Sequence, residues 1–204
     1  MDPMPSRAAR TAYVLLTVIF WFAVGAGLIL VAHRLFGLLQ DPGALTLPAS
    51  VSVNDVRLPG GFEIAGPLPV NVDVVDPSLM QRMIAAVPVL IWWTLVAVVL
   101  WLLRGVARTA AKGEPFRPPN VIRLRWLGAL FLLGFPLATI VERSFTDWFF
   151  SPGMWTGGPL PPGGIATGAP LVSGPAILAA VSLFALAEVF AYGARLREDV
   201  DATI

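Results

Sequence analysis

The chain has 204 residues, of which 56% are hydrophobic and 13% are charged, and its mean hydropathy is +0.76. Soluble domains carry about a quarter charged residues, so this composition predicts a membrane protein. The net charge of +1, without a long basic tract, argues against direct binding of nucleic acid. The absence of cysteine excludes disulfides, thiolate nucleophiles and sulfur-ligated metals.

Four apolar runs are long enough to cross a bilayer, because about 20 apolar residues span its hydrocarbon core. They predict an all-α membrane protein in which residues 1–204 form a single polytopic domain. The predicted spans are at about 11–33, 83–108, 121–142 and 170–195. The predicted connections are extracytoplasmic loops at 40–81 and 143–169 and a cytoplasmic loop at 109–120.

The first span is longer than the core of a signal peptide, which has about 7–15 residues, so we interpret it as an uncleaved signal anchor. Its Ala23, Gly25 and Gly27 form a patch of small residues that permits close packing of another helix. We favour packing within the chain over a dimer contact. In the second span, we interpret Trp92 and Trp93 as packing residues rather than the lining of a ligand pocket.

The segment between the first two spans alternates apolar and polar residues at 50–53 and again at 70–74. A period of two is typical of strands, and Pro59-Gly60-Gly61 indicates a turn between them. We therefore predict a small extracytoplasmic β-element in this first loop. Its carboxylates lack the spacing of a calcium loop, so we interpret them as a solvated face rather than a metal site.

The cytoplasmic loop carries the signals that end one helix and begin the next. Gly113 suits a helix C-terminus. Pro118 and Pro119 are expected to bar a helix, and Asn120 is expected to cap the helix that follows. Phe116 is the apolar side chain of the turn, and we interpret it as an anchor against the helices or the headgroups.

Charges and a proline interrupt the last two spans. Arg123 and Arg125 lie in the first turns of the third span, and Pro136 is expected to kink it. Glu188 lies within the fourth span, where an acid costs about 2.5–3.5 kcal/mol at mid-bilayer. We predict that Glu188 forms an intramembrane ion pair with Arg123 or Arg125, or with Arg104, whose helix ends at the same boundary, and a proton or ion relay is the alternative.

Basic residues predict the orientation of the spans, because short loops rich in arginine and lysine stay on the cytoplasmic side. Ten basic residues fall on the predicted inner side and four on the outer side. Six of the ten lie in one connection: Arg104, Arg108, Lys112, Arg117, Arg123 and Arg125. Nearly all of the basic residues are arginine, and the chain is rich in glycine, proline and alanine, which indicates a bacterial source. We therefore expect a bacterial inner-membrane protein with both termini in the cytoplasm.

Two groups of residues on this inner side resemble a known pattern. They are Gly113-Glu114-Pro115-Phe116, Asn120 and Arg123-Leu124-Arg125, and Ala187-Glu188-Val189-Phe190, Gly193 and residues 196–201. Together they resemble the bacterial four-helix membrane family known as domain of unknown function 2975, over nearly the whole chain. The resemblance implies a regulatory or envelope role and supplies no catalytic residues.

We therefore predict a non-catalytic regulatory or structural membrane component that docks a protein partner through its basic cytoplasmic face. The predicted docking surface contains Gly113, Glu114, Pro115, Phe116, Arg117, Asn120, Arg197 and Asp199. The alternative is a small proton- or ion-coupled transporter or channel component that uses Glu188. An enzyme is disfavoured, because a lone His33, no cysteine and no Gly-x-Ser-x-Gly motif leave no activated nucleophile. No catalytic, cofactor-binding or metal-binding residue is predicted.

Overall fold

The computed structural model describes residues 7–36, 44–58, 62–150 and 173–201. The elements in chain order are α1 (Arg7–Phe36), β1 (Ala44–Leu58), β2 (Phe62–Val75), α2 (Leu79–Ala110), α3 (Pro118–Ala129), a π-helical segment (Leu130–Gly134), α4 (Phe135–Phe149) and α5 (Gly174–Asp201). They belong to two compact units. The first unit comprises Met1–Gly27, Trp92–Leu137 and Val172–Ile204, and the second comprises Leu28–Ile91 and Ala138–Leu171.

Within the described ranges, four helices are long and apolar enough to cross a membrane, as many as the sequence predicts. They are Arg7–Phe36, Leu79–Ala110, Pro118–Phe149 and Gly174–Val200. The first three extend beyond the predicted spans at both ends, because an apolar run marks the hydrocarbon-spanning part while backbone hydrogen bonds carry the helix on into polar residues. The fourth helix begins at Gly174, later than the start predicted at 170, and ends beyond residue 195. The loop predicted at 143–169 accordingly begins after Phe149, and residues 151–172 lie outside the described part of the chain.

The surfaces of these helices carry large exposed apolar side chains, among them Phe22, Trp101, Leu133 and Leu178. Water solvates such a surface poorly, and contiguous apolar patches on soluble proteins lead to association. Lipid tails solvate it well. The exposed surface therefore supports the membrane assignment.

The interior of the first unit lies where α2, α3 and α5 meet. Its buried cluster consists of Leu102, Val121, Leu124, Leu127 and Ala187. Small residues let α3 and α5 approach closely: a Cβ on Gly128 would lie 3.0 Å from Cε2 of Phe184. This close pair of helices is the framework for the polar residues described below.

Mid-span aromatic residues pack against other helices of the first unit. A Cβ on Gly27 would lie 3.1 Å from Cβ of Trp93, so α1 and α2 approach closely there. The ring of Trp92 meets that of Phe135 edge to face, at 5.6 Å between centroids. These contacts agree with the predicted packing within the chain. Gly25 does not contribute, since a Cβ there would meet nothing within 4 Å.

The third spanning helix contains the π-helical segment just before Pro136. The N–H of Phe135 donates to the carbonyl of Leu130, five residues earlier. A proline has no N–H, and its ring clashes with the carbonyl four residues before it; a wider turn next to it relieves this conflict. The structure thus shows one π-helical turn next to Pro136, and the predicted kink stays a prediction.

β1 and β2 pair antiparallel, from Ala44 opposite Val75 to Leu58 opposite Phe62, with an irregularity between Val53 and Val56. The predicted turn at residues 59–61 lies outside the described residues. The β-element as a folded unit outside the membrane stays a prediction.

The start of α3 corrects the prediction for the cytoplasmic loop. The helix begins at Pro118, and its N-cap is Arg117, which makes no side-chain capping hydrogen bond. Pro118 and Pro119 occupy the first helical turn, where backbone N–H groups have no partner within the helix and proline is tolerated. The prediction that these prolines bar a helix is wrong, and so is the prediction that Asn120 is the cap.

Candidate functional site

The turn between α2 and α3 begins with a helix-ending motif at Gly113. Its φ is 80°, a left-handed conformation that glycine adopts without strain. The N–H of Gly113 donates to the carbonyl of Ala110 at 3.0 Å, and that of Glu114 donates to the carbonyl of Thr109 at 3.1 Å. This pair of hydrogen bonds is the Schellman motif, and it confirms the predicted role of Gly113.

Asn120 lies at the centre of a hydrogen-bonded network that joins this turn to both helices. Its side chain is fully buried. The amide nitrogen donates to the carbonyl of Pro115 at 2.7 Å and to Oγ1 of Thr109 at 2.6 Å, and Oδ1 accepts from Nη1 of Arg123 at 3.0 Å. A reversed amide would place its oxygen against the carbonyl oxygen of Pro115 and its nitrogen against the guanidinium of Arg123, so these two partners fix its orientation. We call Thr109, Pro115, Asn120 and Arg123 the turn network.

The hydroxyl of Thr109 completes the network. It has one proton and lies 2.8 Å from the carbonyl of Val106, which can accept it. Both amide protons and the carbonyl oxygen of Asn120 therefore have partners, as buried polar groups require. A network of this kind fixes the geometry of the turn.

Arg123 lies across the backbone of α2 because residue 105 is glycine. Its Nη1 donates to the carbonyl of Gly105 at 3.0 Å. A Cβ on Gly105 would lie 2.8 Å from Nε of Arg123, so any larger residue would displace the guanidinium. Arg123 is therefore bound to neutral oxygen atoms. The predicted pairing of Arg123 with Glu188 is not the one that the structure forms.

Phe116 anchors the turn on α5. Its ring packs against that of Phe190, with centroids 5.3 Å apart. A Cβ on Gly193 would lie 2.6 Å from Cδ1 of Phe116, so the ring lies directly on the α5 backbone. This agrees with the anchor interpretation of Phe116, whose exposed fraction is nevertheless 40%.

The solvent side of the turn is polar and mostly cationic. Glu114 and Arg117 form an ion pair, with 2.8 Å between Oε2 and Nε. Arg108, Lys112 and Arg117 are exposed. The connection from Arg104 to Arg125 carries six cations and one carboxylate, so its charge is strongly positive.

Arg125 of α3 and Glu188 of α5 form an ion pair. The distance between Nη2 of Arg125 and Oε1 of Glu188 is 2.8 Å, and their side chains are 53% and 68% exposed. Of the predicted pairings of Glu188, the structure forms the one with Arg125. The functional role of that pair stays a prediction.

The structure brings only part of the predicted docking surface together in one turn. Gly113, Glu114, Pro115, Phe116 and Arg117 share the turn. Arg197 and Asp199 are exposed in the last turns of α5. Asn120 does not belong to this surface, because its complete burial makes it a support of the turn.

Sequence reasoning missed the surroundings of Arg104. Its guanidinium lies over the rings of Tyr13 and Phe20 of α1, 5.8 and 5.7 Å from their centroids, which is the range of cation–π contacts. It also missed the close approach at Gly105 and Gly193. A glycine in the middle of a helix is the signal that could have found these two, because it costs helix stability and often marks a packing contact.

A family model described as a protein of unknown function, DUF2975, matches residues 49–204. The chain belongs to this family. No curated protein and no solved structure matches the chain.

The DUF2975 match begins after α1, so the first spanning helix lies outside it, whereas the resemblance was expected to cover that span as well. Both groups of residues quoted for the resemblance lie within it. The fold brings the two groups together through Phe116 with Phe190 and through Arg125 with Glu188. Among the residues that the structure describes, no group of three or more His, Cys, Asp or Glu is placed to hold a metal ion.

Proposed function

We propose that this DUF2975 chain is a non-catalytic multi-pass protein of the bacterial inner membrane, and that it docks an acidic segment of a partner protein through the α2–α3 turn. In this topology both termini and the turn face the cytoplasm, and the β1–β2 element lies outside. Ten of the fourteen basic residues then fall on the inner side, as the positive-inside rule requires.

One observation carries the proposal: a turn with exposed cations at Arg108, Lys112 and Arg117 is held in a fixed shape. The buried Asn120 donates to the backbone carbonyl of Pro115 in the turn, and Gly113 ends α2 in a left-handed conformation. The ring of Phe116 packs against Phe190 of α5. A connection between two spans needs none of these contacts merely to reverse the chain. A rigid surface, however, loses little conformational entropy when a partner binds.

The chemistry of the exposed side chains selects an acidic partner. Arg108 and Lys112 are exposed cations, and Glu114 is the acid of the connection, already paired with Arg117. Charge complementarity accelerates encounter and rejects basic partners. The half-exposed ring of Phe116 supplies an apolar contact beside the charges.

The test is site-specific photo-crosslinking of the full-length protein in its native membrane. A photoreactive residue at the exposed Pro119 is expected to give a discrete adduct with an acidic protein. Lys112→Glu combined with Arg117→Gln is expected to reduce that adduct at least tenfold.

The matched control is Arg7→Glu combined with Arg10→Gln, which makes the same change of charge at the exposed start of α1. It is expected to leave the adduct intact. An adduct that survives the turn variant, or that both variants remove equally, would rule out docking at the turn.

Transport through Glu188 receives less support. Its carboxylate accepts from Arg125, and it lines neither a cavity of about 90 Å³ next to Phe149 nor a cavity of about 280 Å³ next to Arg104. A pH-dependent flux in proteoliposomes that Glu188→Gln abolishes would favour transport over docking.

A further inference from the structure

A second cationic feature lies beside the turn network, within the first unit. A cavity of about 280 Å³ is lined by Trp101, Arg104, Gly105, Arg108 and Arg123, and we call it the arginine cavity. A single water needs only about 10–15 Å³. The arginine cavity therefore has room for a phosphate group together with bridging waters.

The charges that line this cavity have no acidic partner among the described residues. Arg123 donates to the carbonyl of Gly105 and to Oδ1 of Asn120, both neutral oxygens. Arg104 lies over two aromatic rings, which stabilise a cation without cancelling its charge. Three guanidinium groups around one space repel each other, and an anion between them would relieve that repulsion.

The guanidinium groups suit a phosphate, and the neighbouring tryptophan favours a lipid over a soluble ligand. Guanidinium groups bind phosphate oxygens through paired N–H donors. Trp101 also lines this cavity and is 60% exposed, and tryptophan concentrates at the headgroup level of bilayers. Basic pockets between spanning helices on the cytoplasmic side suit anionic headgroups.

We propose that the arginine cavity binds the phosphate of an anionic phospholipid. Gly105 is the positioning residue of this site, because its missing Cβ lets Arg123 lie across α2 and reach the cavity. The proposal does not depend on docking at the turn. Lys112 and Arg117, which the docking test changes, do not line the arginine cavity.

The test compares lipids added to the purified full-length protein in detergent, with the midpoint of thermal unfolding as the readout. Phosphatidylglycerol is expected to raise the midpoint, and phosphatidylcholine, which carries the same phosphodiester without net charge, is expected to raise it much less. Inorganic phosphate at millimolar concentration is expected to have no effect. Equal protection by inorganic phosphate would make the ligand a free anion and overturn the lipid assignment.

Variants locate the effect. Arg104→Gln with Arg108→Gln is expected to raise the half-saturating phosphatidylglycerol concentration about tenfold. Gly105→Ala changes no charge but displaces Arg123, and is expected to raise it about threefold to tenfold. The control Arg7→Gln with Arg10→Gln removes the same charge elsewhere and is expected to leave it unchanged. Equal half-saturation in wild type and Gly105→Ala, or an equal loss in the control, would overturn the site.

Discussion

Among the polar contacts between helices of the first unit, those of Asn120 and those of the Arg125–Glu188 pair differ in burial and in charge. Asn120 is neutral and fully buried, and all of its hydrogen-bonding groups have partners. The Arg125–Glu188 pair is exposed on the helix surface. A buried group that loses its partner costs about 1–3 kcal/mol, whereas an exposed ion pair in water is worth about 0–1 kcal/mol. The turn network therefore stabilises the fold in any medium, and the ion pair depends on the lipid around it.

The largest expected effect is that of breaking the turn network. Asn120→Ala removes a partner from Pro115, Thr109 and Arg123 at once, so it should lower the free energy of unfolding by about 2–4 kcal/mol. For a chain of this size, about 2–4 °C in the unfolding midpoint corresponds to 1 kcal/mol. Thermal unfolding in detergent measures the change.

Thr109 supplies the control for that prediction. Thr109→Ser keeps the hydroxyl and should change the midpoint little, whereas Thr109→Val should cost less in the Asn120→Ala background than in wild type, because the two side chains act together. Strict additivity of Thr109→Val and Asn120→Ala would show that the network does not act as one unit.

The next effect tests the anchor of the turn on α5. Gly193→Ala places a methyl group against the ring of Phe116, and this overpacking should destabilise the protein by about 1 kcal/mol. In a Phe116→Ala background the same substitution should stabilise it by up to about 1 kcal/mol, because alanine is the better helix former. The same thermal measurement decides, and an unchanged sign in the two backgrounds would refute the contact.

The smallest expected effect is the coupling free energy between Arg125 and Glu188, which distinguishes this ion pair from the turn network. A cycle of Arg125→Gln and Glu188→Gln should give a coupling of about 0.5–1 kcal/mol in detergent and more in lipid nanodiscs, where fewer water molecules replace a lost partner. A cycle of Arg123→Gln and Glu188→Gln is the control and should be additive. Coupling of Glu188 to Arg123 instead of Arg125 would contradict the observed pairing.

The spans were predictable from the sequence, because apolar length is a local property of the chain. Gly113 was predictable for the same reason: a glycine after a helical run indicates a left-handed cap. The N-terminus of α3 could not be predicted in this way. Asparagine is a common cap residue, and the buried position of Asn120 depends on Thr109 and Pro115, which only the folded turn brings near it.

The contacts of the arginines could be predicted only in part. Glu188 needed a cation, and two stood at a similar depth in the third span. Residues two positions apart on a helix face different directions. Arg123 faces Gly105, whereas Arg125 faces Glu188. Which one turned towards α5 depended on the packing of α3, which one-dimensional periodicity does not fix.

The central claim is that the cationic α2–α3 turn is presented to the cytoplasm. Because the chain has no cysteine, Pro119→Cys creates a unique label site that keeps every charge of the turn, and Asp147→Cys marks the predicted opposite side. With a membrane-impermeant maleimide on intact cells, we expect labelling of Asp147→Cys and protection of Pro119→Cys until the cells are lysed. Labelling of Pro119→Cys in intact cells would contradict the topology, and with it the proposed docking.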